Sequence, residues 1–414
     1  MGRQFPARLG PGAGARQDAG GALTMDRRQA LRLLAASAFA LGSARPALAA
    51  PGGPRKVVVI GAGILGAAIG YELAKRGADV TILDRTGPAA GATGNSFAYL
   101  NASTKASSRP YFGLNWLGMA GWRAWQQEPG AALPLRWGGA VYWRGDAAAT
   151  QQLAASLNTV RGWGYAGQAV DGADIRRLVP SVTVPGDPSG AFFPEEGSVD
   201  PAEAVAALLA RARQHGARTV FPAEVTGLIV AGGQVRGVRT RDGELSADAV
   251  VLAAGLGSEA LARSLGVRLP LTSSPGILIH TKPQPPLIDR LVFAPHSSFR
   301  QTVDGRIVSS SSGHEGGGGT GDPAAIGRAI LAGAADYLPQ IRDAAIDRVT
   351  IGQRVLPGDG FPIVGFVPKV DRLYVAVTHS GVTLAPVLGR WAATEILDGA
   401  RVDLLDGFRP ARFG

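Results

Sequence analysis

The chain has no cysteine among its 414 residues. That excludes disulfides, Cys-ligated zinc or iron–sulfur clusters, c-type haem attachment and any cysteinyl cofactor link, so chemistry has to run without a thiol. Histidine is scarce, with five residues at positions 215, 280, 296, 314 and 379 that lack the spacing of a metal site, and no metal is expected. The apolar run Leu33 to Leu41 covers nine residues, short of the roughly 20 that span a bilayer as a helix, so the chain is not read as an integral membrane protein. With 46% hydrophobic and 18% charged residues, the remainder is ordinary for a soluble protein of one large or two interlocked domains.

The formal charge of +10 does not mark a nucleic-acid binder. Residues 1 to 49 hold seven of the 42 basic and two of the 32 acidic side chains, which leaves 35 against 30, scattered and without basic and aromatic interleaving. The 59 glycines and 28 prolines are spread without a period and read as turns and close backbone approaches. One biased stretch, Ser309 to Gly321, is expected to be a loop on the substrate side, with a plain linker as the alternative.

The strongest local pattern begins at Lys56. The apolar run Lys56 to Ile60 predicts a strand covered on both faces. It opens into Gly61-Ala62-Gly63-Ile64-Leu65-Gly66, a helix to Arg76, a stop at Gly77 and a second strand, Asp79 to Leu83, ending in Asp84 and Arg85. Gly61 permits the tight turn, Gly63 lets the backbone approach a pyrophosphate, and Gly66 lets helix and strand pack closely. The first helical residues, Ile64 and Leu65, then offer amides and the helix dipole to phosphates. Asp84 is placed to accept ribose hydroxyls and would repel a 2′-phosphate, which disfavours NADP. FAD and NAD both remain open at this point, as does a merely structural turn.

Four later segments narrow the choice. Gly91 to Phe97 is a glycine and hydroxyl loop containing Thr93, Asn95 and Ser96. An Asp200-Pro201 helix start leads to Val225 and to the strand Val250 to Leu252 followed by Ala253-Ala254-Gly255. Arg354 precedes Asp359-Gly360-Phe361-Pro362-Ile363-Val364-Gly365, and Thr378 to Pro386 closes the series. In this order they resemble the D-amino-acid oxidase and glycine oxidase (DAO) family of flavoproteins, from Lys56 to Gly399. The resemblance implies a mixed α/β fold with a Rossmann-like FAD-binding domain built from residues 56–104, 198–270 and 346–405. It also implies a discontinuous, sheet-based substrate domain built from 105–197 and 271–345. Some branches of that family attach flavin through histidine or cysteine; Gly87 to Leu100 contains neither, so non-covalent FAD is expected. Glycines 232, 233 and 243 punctuate an expected meander of strands Val225 to Val230, Val235 to Thr240 and Glu244 to Leu252. Asp200 as N-cap, Pro201 and Gly216 bracket one helix.

The resemblance also implies a reacting site. A helix beginning near Thr383, after Gly381 and Val382, would bring its positive end to the flavin pyrimidine edge, with Pro386 tolerated in its first turn. Arg354 would clamp a substrate carboxylate, unless it is a structural arginine paired with a carboxylate such as Asp359. His379, with an intrinsic pKa near neutrality, would exchange protons or position a ligand at the flavin edge. One of Arg300 and Gln301 would face the ligand, since strand alternation turns only one inward. The helix-like spacing of Tyr111, Phe112, Trp116, Trp122 and Trp125 predicts core, with a lid or substrate contact as the alternative. The implied activity is FAD-dependent oxidation of a small amine or amino acid, with oxygen or a quinone as acceptor. A same-fold dehydrogenase serving a quinone or carrier protein, and a non-catalytic flavin-binding assembly protein, are the alternatives.

Residues 1–24 lack periodicity and are expected to be disordered or to precede a true start at Met25. Residues 25–49, with Arg27-Arg28, the apolar run and Ala47-Leu48-Ala49, resemble a twin-arginine signal peptide. That route carries folded proteins, so FAD would be loaded in the cytoplasm before delivery to the periplasm or the medium. The native protein is expected to begin after Ala47, and Arg27→Lys with Arg28→Lys to block export. N-terminal sequencing and cell fractionation check both.

Overall fold

The computed structural model describes residues 56–130, 132–311 and 322–414. The leader and residues 312–321 of the serine–glycine stretch lie outside the described residues; Ser309–Ser311, expected as loop, instead complete a strand, Ile307–Ser311.

Lys56–Ile60 is the strand around which a six-stranded sheet is ordered, because its Val-Val-Val-Ile run is buried throughout after Lys56. Strand Asp79–Leu83 pairs with it in parallel on one side and Ala249–Leu252 on the other. Arg218–Val220 extends the first side, and Leu373–Val377 with the antiparallel edge strand Ile363–Phe366 extends the second. Three helices cover one face: Ile64–Lys75, Pro201–Gln214 and Gly381–Asp398.

A second, eight-stranded sheet contains Ile346–Pro357, Leu271–Thr281, Ile307–Ser311, Ser297–Gln301, Leu291–Phe293, Ala140–Trp143, Gly190–Phe193 and Gln168–Val170, in that order. Its longest pairing runs in register from Leu271 opposite Pro357 to His280 opposite Arg348. Strand 346–357 therefore belongs to this sheet, not to the nucleotide domain in which residues 346–405 were grouped. Arg109–Gln126, grouped with the substrate domain, bridges the two: Trp122 and Gly118 pack on the helix Gly381–Asp398, while Phe112 meets Trp163 and Tyr165. Backbone pairing decides the first case and side-chain packing the second, because sequence continuity does not say which layer a segment joins.

The meander is shorter than its sequence pattern. Val225–Ala231, Gln234–Thr240 and Gly243–Ser246 pair antiparallel, but the expected strand Glu244 to Leu252 is two strands. Between them Ala247 donates to the Arg236 carbonyl and Asp248 to that of Lys56, so the chain leaves one sheet for the other.

The C-terminal helix begins two residues earlier than expected, at Gly381, which puts Pro386 inside the helix instead of in its first turn. Proline there removes the amide that would bond the carbonyl of Val382. The indole of Trp122 donates to that carbonyl instead, at 2.8 Å. The helix carrying Trp122 can come so close because a Cβ at Gly118 would lie 2.3 Å from the Thr383 oxygen, and one at Gly121 2.6 Å from Pro386. Two outcomes follow from this contact. Trp122→Phe leaves the Val382 oxygen unpartnered and is expected to cost about 1–3 kcal/mol. Gly118→Ala is expected to cost a similar amount by overpacking, about 1–3 kcal/mol, and to weaken cofactor retention. Thermal melts and flavin content after dialysis measure both.

Candidate functional site

A cleft of about 1340 Å³ runs between the nucleotide sheet and the hairpin of the eight-stranded sheet, larger than the roughly 300–1,000 Å³ of an ordinary small-molecule pocket. It has room for an extended dinucleotide with a substrate beside its reactive end.

Its nucleotide end is made of backbone. Gly61 adopts φ +108° and donates to the Leu83 carbonyl at 2.7 Å, and a Cβ on it would lie 2.4 Å from the Ala253 oxygen. A Cβ on Gly66 would lie 1.8 Å from the Gly61 oxygen, so helix and turn tolerate only glycine there. Gly63, Ile64 and Leu65 line the cleft, and Gly66 lies beneath them. The helix has no N-cap side-chain bond from Gly63; the Ile64 amide donates to the Thr93 hydroxyl at 3.1 Å. Asp84 also lines the cleft, and its carboxylate already accepts the amides of Ala62, Thr86 and Gly87 at 2.8–3.0 Å. It therefore fixes the turn as well as facing any ribose, with lone pairs left for hydroxyls. Arg85, Val225, Ala254 and Gly255 line the same end, and Thr93, Asn95 and Ser96 the middle. Free amides at a helix start, an acid at the ribose position and glycine-width walls fit a flavin dinucleotide along this cleft.

At the other end the C-terminal helix points its start into the cleft through Gly381, Val382 and Thr383. A Cβ at Gly381 would touch Leu65 at 3.5 Å, so the two helix starts abut. Arg354 lines this end. Its guanidinium donates to the Ser274 hydroxyl at 3.3 Å and to the Pro275 carbonyl at 3.0 Å, and no described carboxylate lies within 4.0 Å of it. Asp359, the alternative partner, is held instead by both prongs of Arg412, at 2.7 and 3.0 Å.

His379 also reaches the cleft, but not as a group poised near neutrality. Close surrounding by protein, with the nearby charges of Lys105 and Arg354, pulls its pKa down to about 4. A neutral imidazole favours the positioning alternative over proton exchange. Arg300 and Gln301 are corrected, because neither side chain lines the cleft. Arg300 is buried against Asp200, at 2.8 Å, and the Phe97 carbonyl, at 2.7 Å. Gln301 turns the other way and binds the backbone of Leu287, Pro285 and Gly305. Asp200, expected as an N-cap, makes no capping bond, since the buried guanidinium and the Val303 amide take its oxygens.

Two functional candidates escaped the sequence. Lys105, in the short turn Ser103–Lys105, lines the cleft with its ammonium 5.5 Å from the centre of the Tyr111 ring. Burial pulls its pKa down to about 8, against the opposing pull of Glu196. Glu196 is fully buried; it accepts the Ala102 and Ser103 amides at 3.1 and 2.9 Å and the Tyr142 and Tyr165 hydroxyls. Burial nevertheless pushes its pKa up to about 7. A usable signal existed for Lys105: the chain has only five lysines among its 42 basic residues, and this one follows the hydroxyl loop.

The parallel sheet, the glycine turn and the abutting helix starts define a dinucleotide-dependent enzyme class. A family model described as FAD dependent oxidoreductase (DAO) matches residues 56–395, and the chain belongs to that family. The uncharacterized oxidoreductase YurR of Bacillus subtilis (strain 168) is 28% identical over 396 residues, 86% of this chain and 99% of that protein. Glycine oxidase of Geobacillus kaustophilus (strain HTA426) is 27% identical over 349 residues, 80% and 90% of the two chains. The crystal structure of glycine oxidase from Geobacillus kaustophilus superposes with a TM-score of 0.79 at 24% identity, covering 86% of this chain and 99% of that one. That likeness establishes the fold. Some relatives are longer: the chain spans 55% of the bifunctional protein ThiO/ThiG of Trichormus variabilis. Among the described residues no helix is long and apolar enough to cross a membrane, and no cluster of His, Asp and Glu could hold a metal.

The Glu196 carboxyl gives a pH test with a defined sign. Its pKa rises from the unfolded value of 4.5 to about 7, so its contribution to stability is complete below 4.5 and is lost as pH rises through 7. Comparison with Glu196→Gln isolates this group. The melting temperature of wild type minus that of the variant is expected to fall between about pH 5 and about pH 8.

Proposed function

We propose that this enzyme oxidises a small amine or amino acid, with an unpaired guanidinium, that of Arg354, receiving the substrate carboxylate. The observation that supports the reading most directly is the position of Arg354. It shares one end of the cleft with the start of the C-terminal helix and has no carboxylate partner among the described residues. Ser274 and the Pro275 carbonyl hold one side of its fork, which leaves the remaining N–H groups for a ligand.

Bound FAD supplies two-electron acceptance from the carbon that bears the amine, and water then hydrolyses the product imine to release ammonia, or an aldehyde from an N-methyl group. The chain's own residues do the rest. Arg354 orients the substrate by its carboxylate. The amides at Gly381 to Thr383 meet negative charge with the positive end of an 18-residue helix, held in place by the Trp122 bond to Val382. Neutral His379 lines the same cleft as Lys105 and Arg354, acts by hydrogen bonding, and adds no third positive charge. Non-covalent attachment is supported by the absence of cysteine and by a Gly87 to Leu100 segment free of histidine.

Anaerobic mixing with a panel of amino acids and N-methyl amino acids is expected to bleach the flavin and, in air, to release ammonia or aldehyde. A panel without effect sinks the reading, and peroxide release measured against dye reduction assigns the acceptor. Arg354→Ala is expected to raise KM for carboxylate-bearing amines at least 30-fold, equivalent to about 2 kcal/mol. Arg354→Lys, a point charge without the fork, should recover only part of this. Acid precipitation is expected to leave unmodified FAD in the supernatant.

A further inference from the structure

We infer that the substrate carries a second anionic group, as an amino dicarboxylate does, with one carboxylate on Arg354 and the other on Lys105. The inference deepens the amine-oxidation reading above and rests on it.

Two cations enter this end of the cleft from different walls. Arg354 comes from strand Ile346–Pro357, tethered to the facing strand at Ser274 and Pro275. Lys105 comes from the turn below the hydroxyl loop, its ammonium against the Tyr111 ring. The Tyr111 hydroxyl donates to Ser380 at 2.7 Å, next to His379, which fixes Lys105 beside the start of the C-terminal helix. His379 lines the same end and feels both charges.

Neither cation has an ion pair among the described residues. The two carboxylates that line the cleft, Asp84 and Glu224, belong to its nucleotide end. Asp84 is engaged by three amides and Glu224 by Arg241 at 2.6 Å. Glu196 lies behind the wall, spent on two amides and two tyrosines, and does not line the cleft. A cation withdrawn from water without a partner is costly, so a site that keeps two is built to receive anions. The helix start already answers charge on the cofactor, which leaves Lys105 for the substrate. Its residue type agrees, since a chain that uses arginine for most of its basic positions places a compact ammonium here.

The test uses the FAD-loaded enzyme and two readouts. In thermal melts, malonate and succinate are expected to raise Tm more than acetate at equal ionic strength, and Lys105→Met to abolish the difference. In anaerobic flavin reduction, iminodiacetate, N-methylaspartate and the aspartate and glutamate enantiomers are compared with glycine, sarcosine and proline. Wild type is expected to favour at least one dicarboxylate by tenfold or more in kcat/KM. Lys105→Met is expected to shrink that ratio at least tenfold, and Lys105→Arg to retain most of it. Should Lys105→Met not fold, Lys105→Gln and the wild-type melts carry the same decision. Preference for monocarboxylates, or an unchanged ratio in the variant with both substrate classes slowed alike, overturns the inference and assigns Lys105 to the flavin; bleaching by simple amines would leave the amine reading standing. Conversely, a flavin that no amine bleaches in a protein that dianions stabilise through Lys105 sinks the amine reading and keeps the two-anion site.

Discussion

The contact on which the molecule depends is the meeting of two helix starts, Ile64–Leu65 and Gly381, beneath one cleft. Each helix is brought there by backbone approaches that leave no room for a side chain. Gly66 meets the Gly61 carbonyl, Gly389 meets the Ala68 backbone, to which an added Cβ would come within 3.0 Å, and Gly118 meets Thr383. Both positive helix ends are thereby aimed at the same space, one suited to a pyrophosphate and the other to charge on the reacting ring. The internal proline of the C-terminal helix is part of this arrangement: the carbonyl it leaves unpaired becomes the acceptor that ties in Trp122.

Around that frame, burial sets the behaviour of the ionisable groups more strongly than local sequence does. Glu196, Lys105 and His379 are all shifted toward their neutral forms, with burial the largest cause in each. The groups differ in what they face. Glu196 is enclosed by donors and serves the wall, whereas Lys105 and His379 face the cleft with Arg354. The reacting end thus gathers two cations and a neutral imidazole on one cleft.

Much of the nucleotide end was legible because its requirements are local. The strand, turn, helix, strand and acid between Lys56 and Asp84 lie within 29 residues, and each glycine answers a steric demand that its neighbours create. The segments at Thr93, Ala254 and Gly381 were legible as a series, through resemblance. Legibility failed where distant segments meet. Arg300 and Gln301 alternate on their strand as expected, yet both faces turn out to be lined by protein, by Asp200 on one side and the 284–288 loop on the other. His379 was brought to the cleft, but its lowered pKa was not legible, because it comes from burial and from two cations 274 and 25 residues away in the chain.

The sequence by itself determined the absence of thiol chemistry, the dinucleotide turn, and the family to which the ordered segments belong, since composition and short-range spacing carry those facts. Tertiary structure alone decided which sheet claims residues 346–357, that Asp359 is taken by Arg412 so that Arg354 has no described carboxylate partner, and that Lys105 lines the same cleft. The physical reason is the same each time: pairing, burial and electrostatic field depend on separation in space, and the chain brings those partners together only when both sheets have closed around the cleft.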